Sequence, residues 1–146
     1  MNLSRDPAFF ALLTRSYARF VGEPLVPAGH DAAWLYEAAP FAVLAHDAAD
    51  DPRFTYANRA AQACFAYAWD EIVGVPSRLS AEAPERPERQ RLLAAVERDG
   101  FIRDYRGLRI AKSGRRFWIE AAVVWQLECD GVVVGQAAAF SRWRDA

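Results

Sequence analysis

FIRDYRGLRIAKSGRRFWIEAAVVWQLECDGVVVGQAAAFSRW, residues 101–143, decides the fold. Three runs rich in β-branched and aromatic residues are separated by KSG and CDG, turns that end in glycine, and this is the pattern of three long strands in an antiparallel meander. Side chains alternate between the two faces of a strand. On the middle run that alternation puts Phe117, Ile119, Ala121, Val123, Trp125 and Leu127 on a core face. Trp118, Glu120, Ala122, Val124, Gln126 and Glu128 fall on the other. That second face is too apolar at Trp118 and Val124 to meet only water, so something is expected to cover it.

Upstream, ERQRLLAAVERDG reads as a helix with Leu92, Leu93 and Val96 inward, closed by Gly100 and preceded by Pro84 and Pro87. Before it, Asn58 can cap a helix carrying Ala61, Cys64 and Phe65. Tyr67, Trp69, Ile72 and Val73 continue into a second helical turn that stops at Gly74. FAVLAH (41–46) and RFTYA (53–57) are short strand-forming runs on either side of the acidic turn DAADDP. At the N-terminus RDPAFFALLTRSYARFVG spaces Phe9 or Phe10, Leu13, Tyr17, Phe20 and Val21 by threes and fours, with Ser4 or Asp6 to cap and Gly22 to end it. EPLVPAGH then connects to a short helix capped by Asp31, with Trp34, Leu35 and Tyr36.

The expected architecture is α+β: a five-stranded antiparallel sheet with helices on one face. An amphipathic helix and connector in residues 1–30 precede a domain in residues 31–146, and that helix is the natural cover for the second sheet face. Phe9, Leu13, Tyr17, Phe20, Trp118 and Val124 are therefore the interface candidates, within one chain or between two copies in a homodimer.

Composition narrows the classes of function. With 18 basic and 19 acidic residues the net charge is -1, which supplies no global field for nucleic acid or an anionic membrane. The basic residues of RDYRGLRIAKSGRR suit a charged hairpin tip that protects an edge. The two cysteines, Cys64 and Cys129, have the spacing of neither a zinc site nor a disulfide framework. No signal peptide and no apolar run of the roughly 20 residues needed to span a bilayer is present, so a cytoplasmic location is expected.

The order of parts, two strands, short helices, a longer helix and three long strands, resembles the Per-Arnt-Sim (PAS) sensory domains. ANRAAQACFAYAWDEIVG resembles their strand-to-helix passage and AKSGRRFWIEAAVVW their Lys-x-Gly hairpin. Within that fold four blocks in order, LYEAAPFAVLAHDAADDPRFTYANRAAQACF, VGVPSRLSAE, YRGLRIAKSGRRFWIEAAVVW and GQAAAFSRW, look most like the MEKHLA domain. The resemblance covers roughly Ala33 to Trp143 and implies a PAS-like sensory or regulatory domain, without supplying a ligand.

Flavin-binding light-oxygen-voltage relatives carry Gly-x-Asn-Cys-Arg-Phe-Leu-Gln where this chain has GVPSRLSA, which sets their photoreactive cysteine on Ser77 and the following arginine on Arg78. A serine hydroxyl does not form the thiol adduct. Their flavin-holding asparagines fall on Arg109 and Ile119, and their last-strand glutamine on Ala137 or Gln136. Flavin adduct chemistry is disfavoured, and the cofactor stays unknown.

Ser77, Arg78 and Ser80 could clamp a carboxylate or phosphate beside a pocket, or PSRLS could simply cap a short helix while Arg78 pairs with a glutamate such as Glu82. Arg109, on the strand face of Tyr105 and Gly107, could enter the pocket or point outward. Tyr56, Phe65, Tyr105, Phe117, Trp125 and Phe140 could line a cavity for a planar ligand, or they could fill a core. His46 beside Asp47, Asp50 and Asp51 fits a solvated turn better than a metal or haem site. No nucleophile elbow, phosphate loop or zinc-protease motif occurs, so no catalytic or metal-binding residues are assigned.

The expected function is that of a sensory domain which binds a small molecule or a protein partner and passes its signal in trans to a separate partner. The alternatives are a pure dimerisation or interaction module, and a small enzyme using the same cavity.

Overall fold

The computed structural model describes residues 2–146. The elements run α1 (Pro7–Val21), α2 (Ala32–Glu37), β1 (Ala42–Asp47), β2 (Phe54–Ala57), α3 (Arg59–Phe65) and α4 (Trp69–Ile72). Short 3-10 turns at Ser77–Ser80 and Ala83–Glu85 lead into α5 (Arg86–Asp99), and then β3 (Phe101–Ile110), β4 (Arg116–Cys129), β5 (Val132–Phe140) and β6 (Arg142–Asp145) close the chain. The strands form one antiparallel sheet in the order β2-β1-β5-β4-β3. No helix among the described residues is long and apolar enough to cross a membrane.

The sheet has six strands where five were expected. β5 covers only the half of β4 from Val123 onward, which leaves Phe117–Glu120 with a free edge. After Phe140 the chain turns back and RWRD pairs along that edge, Phe117 with Asp145 through Glu120 with Arg142. Unpaired backbone groups at a sheet edge demand partners, and here four residues of the same chain supply them.

A more consequential departure lies inside β4. Ala121 has a φ of 51°, and between Gly107 and Tyr105 of β3 the partner strand advances three residues, from Ile119 to Ala122. This is a bulge, one residue inserted in one strand, and it reverses the alternation beyond it. A second bulge at Asp104, with φ 55°, restores the register on β3. Phe117 and Ile119 therefore share the helix-covered inner face with Ala122 and Val124, whereas Trp125 and Leu127 turn to the outer face.

The outer face is covered by α1 and α2. Asp6 caps α1 by accepting from the Phe9 amide at 3.1 Å, and Phe9, Leu13 and Tyr17 lie over Tyr56, Trp125 and Leu127. Tyr17 meets the Trp125 ring edge-on with centroids 4.8 Å apart, a favoured aromatic geometry. Ser16 accepts from the Glu128 amide at 3.1 Å and ties the helix to the strand directly. Phe20 lies on Gly100, the last-turn cap of α5, where φ is +88° and any β-carbon would collide with the phenyl ring. Glycine there serves both the backbone and the packing.

Asn58 joins the two layers. Fully buried, it accepts from the amides of Val43 (2.9 Å) and Ala61 (3.1 Å), and it donates to the carbonyls of Leu35 (3.0 Å) and Phe41 (2.9 Å). One side chain thereby caps α3 and fixes α2 and the start of β1.

Candidate functional site

Between the inner sheet face and α5 lies a cavity of about 60 Å³. Leu44, Phe54, Phe65, Leu92, Val124 and Phe140 make its apolar walls, while His46, Ser80, Arg89, Tyr105, Arg109 and Gln136 bring polar atoms to it. A wider recess of about 380 Å³, bordered by Asp47, Asp50, Gln90 and Glu97, shares His46, Leu93 and Gln136 with the inner cavity. Those three side chains therefore form the partition between the two spaces.

The polar lining is built from both layers. Arg89 sits in the first half of α5 on the same stripe as Leu92 and Val96, and it is only 4% exposed. Its Nη2 donates to the Ser77 hydroxyl at 2.7 Å, and the Ser80 hydroxyl donates to the Ser77 carbonyl at 2.7 Å. Burial, and then the charge of Arg109, lower the Arg89 pKa to about 10, so the group is still a cation at neutral pH. Arg109, 6% exposed on β3, donates to the Leu108 carbonyl at 2.9 Å and to the Tyr105 hydroxyl at 3.0 Å. Tyr105 in turn donates to Glu88 at 2.8 Å, and burial raises its phenol above the ordinary range. Gly107 makes this pair possible. A β-carbon there would strike the Tyr105 hydroxyl and come within 2.8 Å of Arg109 Nη1.

His46 is half-buried, its desolvation lowers its pKa, and the nearby positive charge of Arg89 pushes the same way. Its Nδ1 lies 2.8 Å from the Asp47 carbonyl, an acceptor only, so in the neutral ring the proton sits on Nδ1. Gln136 donates to the Leu93 carbonyl at 3.2 Å and to Gln126 at 3.1 Å, while its own Oε1 is buried with no partner.

The residues expected to form the site divide sharply. Phe65, Tyr105, Arg109 and Phe140 come together at the cavity. Ser77 is fully buried behind it as the acceptor that holds Arg89, and it caps no helix. Arg78 points away and pairs with Asp51 at 3.2 Å instead of with Glu82. Phe117 packs edge-on against Phe65, at 5.0 Å, inside the core. Tyr56 and Trp125 belong to the opposite side of the sheet under α1, Trp125 because of the Ala121 bulge.

The same bulge moves Val124 from the expected interface to the cavity wall. Trp118 lies outside the α1 cluster and is capped by the Arg106 guanidinium 3.9 Å above its ring. Arg89 escaped sequence reasoning, yet its spacing from Leu92 and Val96 is the helical signal that places a charge on an inward stripe.

Elsewhere, the basic residues of the β3-β4 hairpin other than Arg109 are matched one by one: Arg103 with Glu23, Arg106 with Glu120, Lys112 with Glu71, Arg115 with Asp145 and Arg116 with Glu82. Cys64 is buried and its thiol is pushed up to about 12, which leaves it unreactive near neutral pH. No cluster of three or more metal-ligating side chains occurs among the described residues.

Comparison with known proteins places this geometry. The family model described as the MEKHLA domain matches residues 7–145. Among solved structures, a PAS domain of a protein from Colwellia psychrerythraea superposes with a TM-score of 0.62 at 19% identity, covering 78% of this chain and 92% of that one. A light-oxygen-voltage domain studied with a flavin analogue gives 0.58 at 18% identity, covering 72% and 76%. A blue-light activated histidine kinase of Erythrobacter litoralis gives 0.59 at 21% identity, covering 76% of this chain and 34% of the kinase. At these identities the likeness is one of fold. Comparison with curated proteins finds no match.

Proposed function

This chain belongs to the MEKHLA domain family, and from that premise we propose that it is a PAS-like sensory domain that holds a small molecule in the cavity beneath α5 and signals in trans to a separate partner. The observation that carries the reading is the cavity itself: an apolar chamber with a few convergent polar groups, placed between sheet and helix and joined to a larger recess by a thin partition. At about 60 Å³ the chamber has room for a few water-sized spheres of roughly 15 Å³ each, and a flavin would require α5 to move.

A ligand shifts a conformational equilibrium only by its differential affinity for two states. Here the sheet has the ligand chamber on one face and α1 on the other, with Phe20 of α1 also touching the end of α5 at Gly100. An adjustment of α5 around a ligand would reach α1 through that contact.

The test is a thermal-shift screen of a metabolite library, run on the wild type and on Ala138→Trp, whose larger side chain fills the cavity. Compounds that raise the melting temperature of the wild type alone support the reading. A library without effect on the wild type, with native mass spectrometry of fresh protein giving only the polypeptide mass, would remove it.

A second reading, a homodimerising interaction module, draws on Val132, Val133 and Val134, large apolar residues exposed at the start of β5. Sedimentation velocity across a range of concentrations checks it. A mass that stays monomeric at the highest concentration would discard it.

A further inference from the structure

The two guanidinium groups at the cavity have no anionic partner. Arg89 and Arg109 are among the most buried polar residues of the chain, and both border the same chamber. An arginine cannot shed its charge in a protein, and a buried charge is tolerated only when it is paired or fully hydrogen-bonded. Neither group takes part in any of the ion pairs among the described residues. Their acceptors are neutral: the Ser77 hydroxyl for Arg89, and the Leu108 carbonyl and Tyr105 hydroxyl for Arg109. With five donors on each guanidinium, most of the hydrogen-bonding capacity is unspent. The nearby carboxylates are engaged elsewhere, Glu88 by the Tyr105 hydroxyl and Asp51 by Arg78.

We propose that this chamber binds a small carboxylate anion, held between Arg89 and Arg109; the proposal rests on the small-molecule reading above and names the ligand class. A carboxylate offers the planar pair of oxygens that a guanidinium fork matches, and it supplies the missing negative charge among mostly apolar walls. The size of the chamber limits the anion to a few non-hydrogen atoms. The carboxylates around the outer recess, Asp47, Asp50 and Glu97, select against a multiply charged species, which sets a monocarboxylate ahead of phosphate. The buried and unpartnered Oε1 of Gln136 is available to a hydroxyl hydrogen on the same molecule.

The experiment compares acetate and glycolate with the neutral acetamide and glycolamide, and with inorganic phosphate, all at matched ionic strength, by thermal shift. At saturation acetate or glycolate should raise the melting temperature of the wild type by about 5 °C or more. Arg109→Met and Arg89→Met should lose that response. Without anion these variants should melt no lower than wild type, since each removes an unpaired buried charge and its repulsion of the other. Should either fail to fold, Ser77→Ala, which removes only the acceptor that orients Arg89, should weaken carboxylate binding several-fold.

Equal shifts from the amides, a carboxylate shift that survives in both methionine variants, or a response to phosphate alone would overturn the assignment. A neutral library compound that binds in the cavity would overturn it while leaving the small-molecule reading in place. Failure of every carboxylate and every library compound would take both away.

Discussion

Asn58 uses both amide hydrogens and its carbonyl oxygen twice on four backbone groups, those of Leu35, Val43 and Ala61 buried and that of Phe41 partly so. Asn58→Ala would leave two amides and two carbonyls without partners, and at roughly 1–3 kcal/mol for each orphaned group the variant should lose about 3 kcal/mol or more in chemical denaturation. A loss within the range of an ordinary helix cap, about 1 kcal/mol, would mean that the pocket around it readmits water. The sequence announces Asn58 as a cap; its two donations to Leu35 and Phe41 depend on contacts across the fold that no local pattern carries.

His46 makes a prediction about pH. Its folded pKa lies below the ordinary 6.5, so as pH falls below about 6.5 the unfolded chain takes up a proton that the folded chain refuses. Above that pH the group contributes no pH dependence; below it, stability declines until the folded pKa is passed. His46→Gln should flatten the slope of melting temperature against pH between 7.5 and 5, and an unchanged slope would assign the dependence to other groups.

At the scale of elements, α1 was legible because its Pro7 start, three-and-four spacing and Gly22 stop all agree. Its docking is a packing contact more than an electrostatic one. Arg19 and Glu128 pair at 3.2 Å on the surface, where such pairs contribute little, whereas Leu13 is wholly buried against the sheet. Leu13→Ala should therefore destabilise by about 2–5 kcal/mol, while Arg19→Ala should stay within about 0.5 kcal/mol of wild type, as measured by urea titration. The hairpins and α5 were equally clear from turn glycines and periodicity.

The four residues of β6 were not, because RWRD carries no strand pattern and forms one only where β4 offers a free edge. The candidate site was half legible for a related reason. Tyr105, Arg109 and Phe140 stand on strand segments whose alternation runs true to the cavity and Phe65 on the inward stripe of α3, whereas Trp125 lies beyond a bulge that two adjacent alanines conceal.

For the molecule as a whole, the sheet is a shared wall: one face closes the chamber with Arg89 and Arg109, and the other carries the helix that would report on it. The inner cluster draws on β4 from Phe117 to Val124 and the outer one on Val123, Trp125 and Leu127, so the second half of that strand serves both faces.

The bulge in that strand also says something about chain length. Because the inner set is Phe117, Ile119, Ala122 and Val124, Ala121 is the supernumerary residue, and without it plain alternation assigns every neighbour to the face it already occupies. Shortening the strand by one alanine should thus yield a folded protein with a flatter sheet, detectable as a retained near-ultraviolet aromatic spectrum. Adding a third alanine also preserves the faces by alternation, but it should slide Ala122–Cys129 two residues away from their partners on β3 and weaken that spectrum. The length of this strand tolerates loss better than gain.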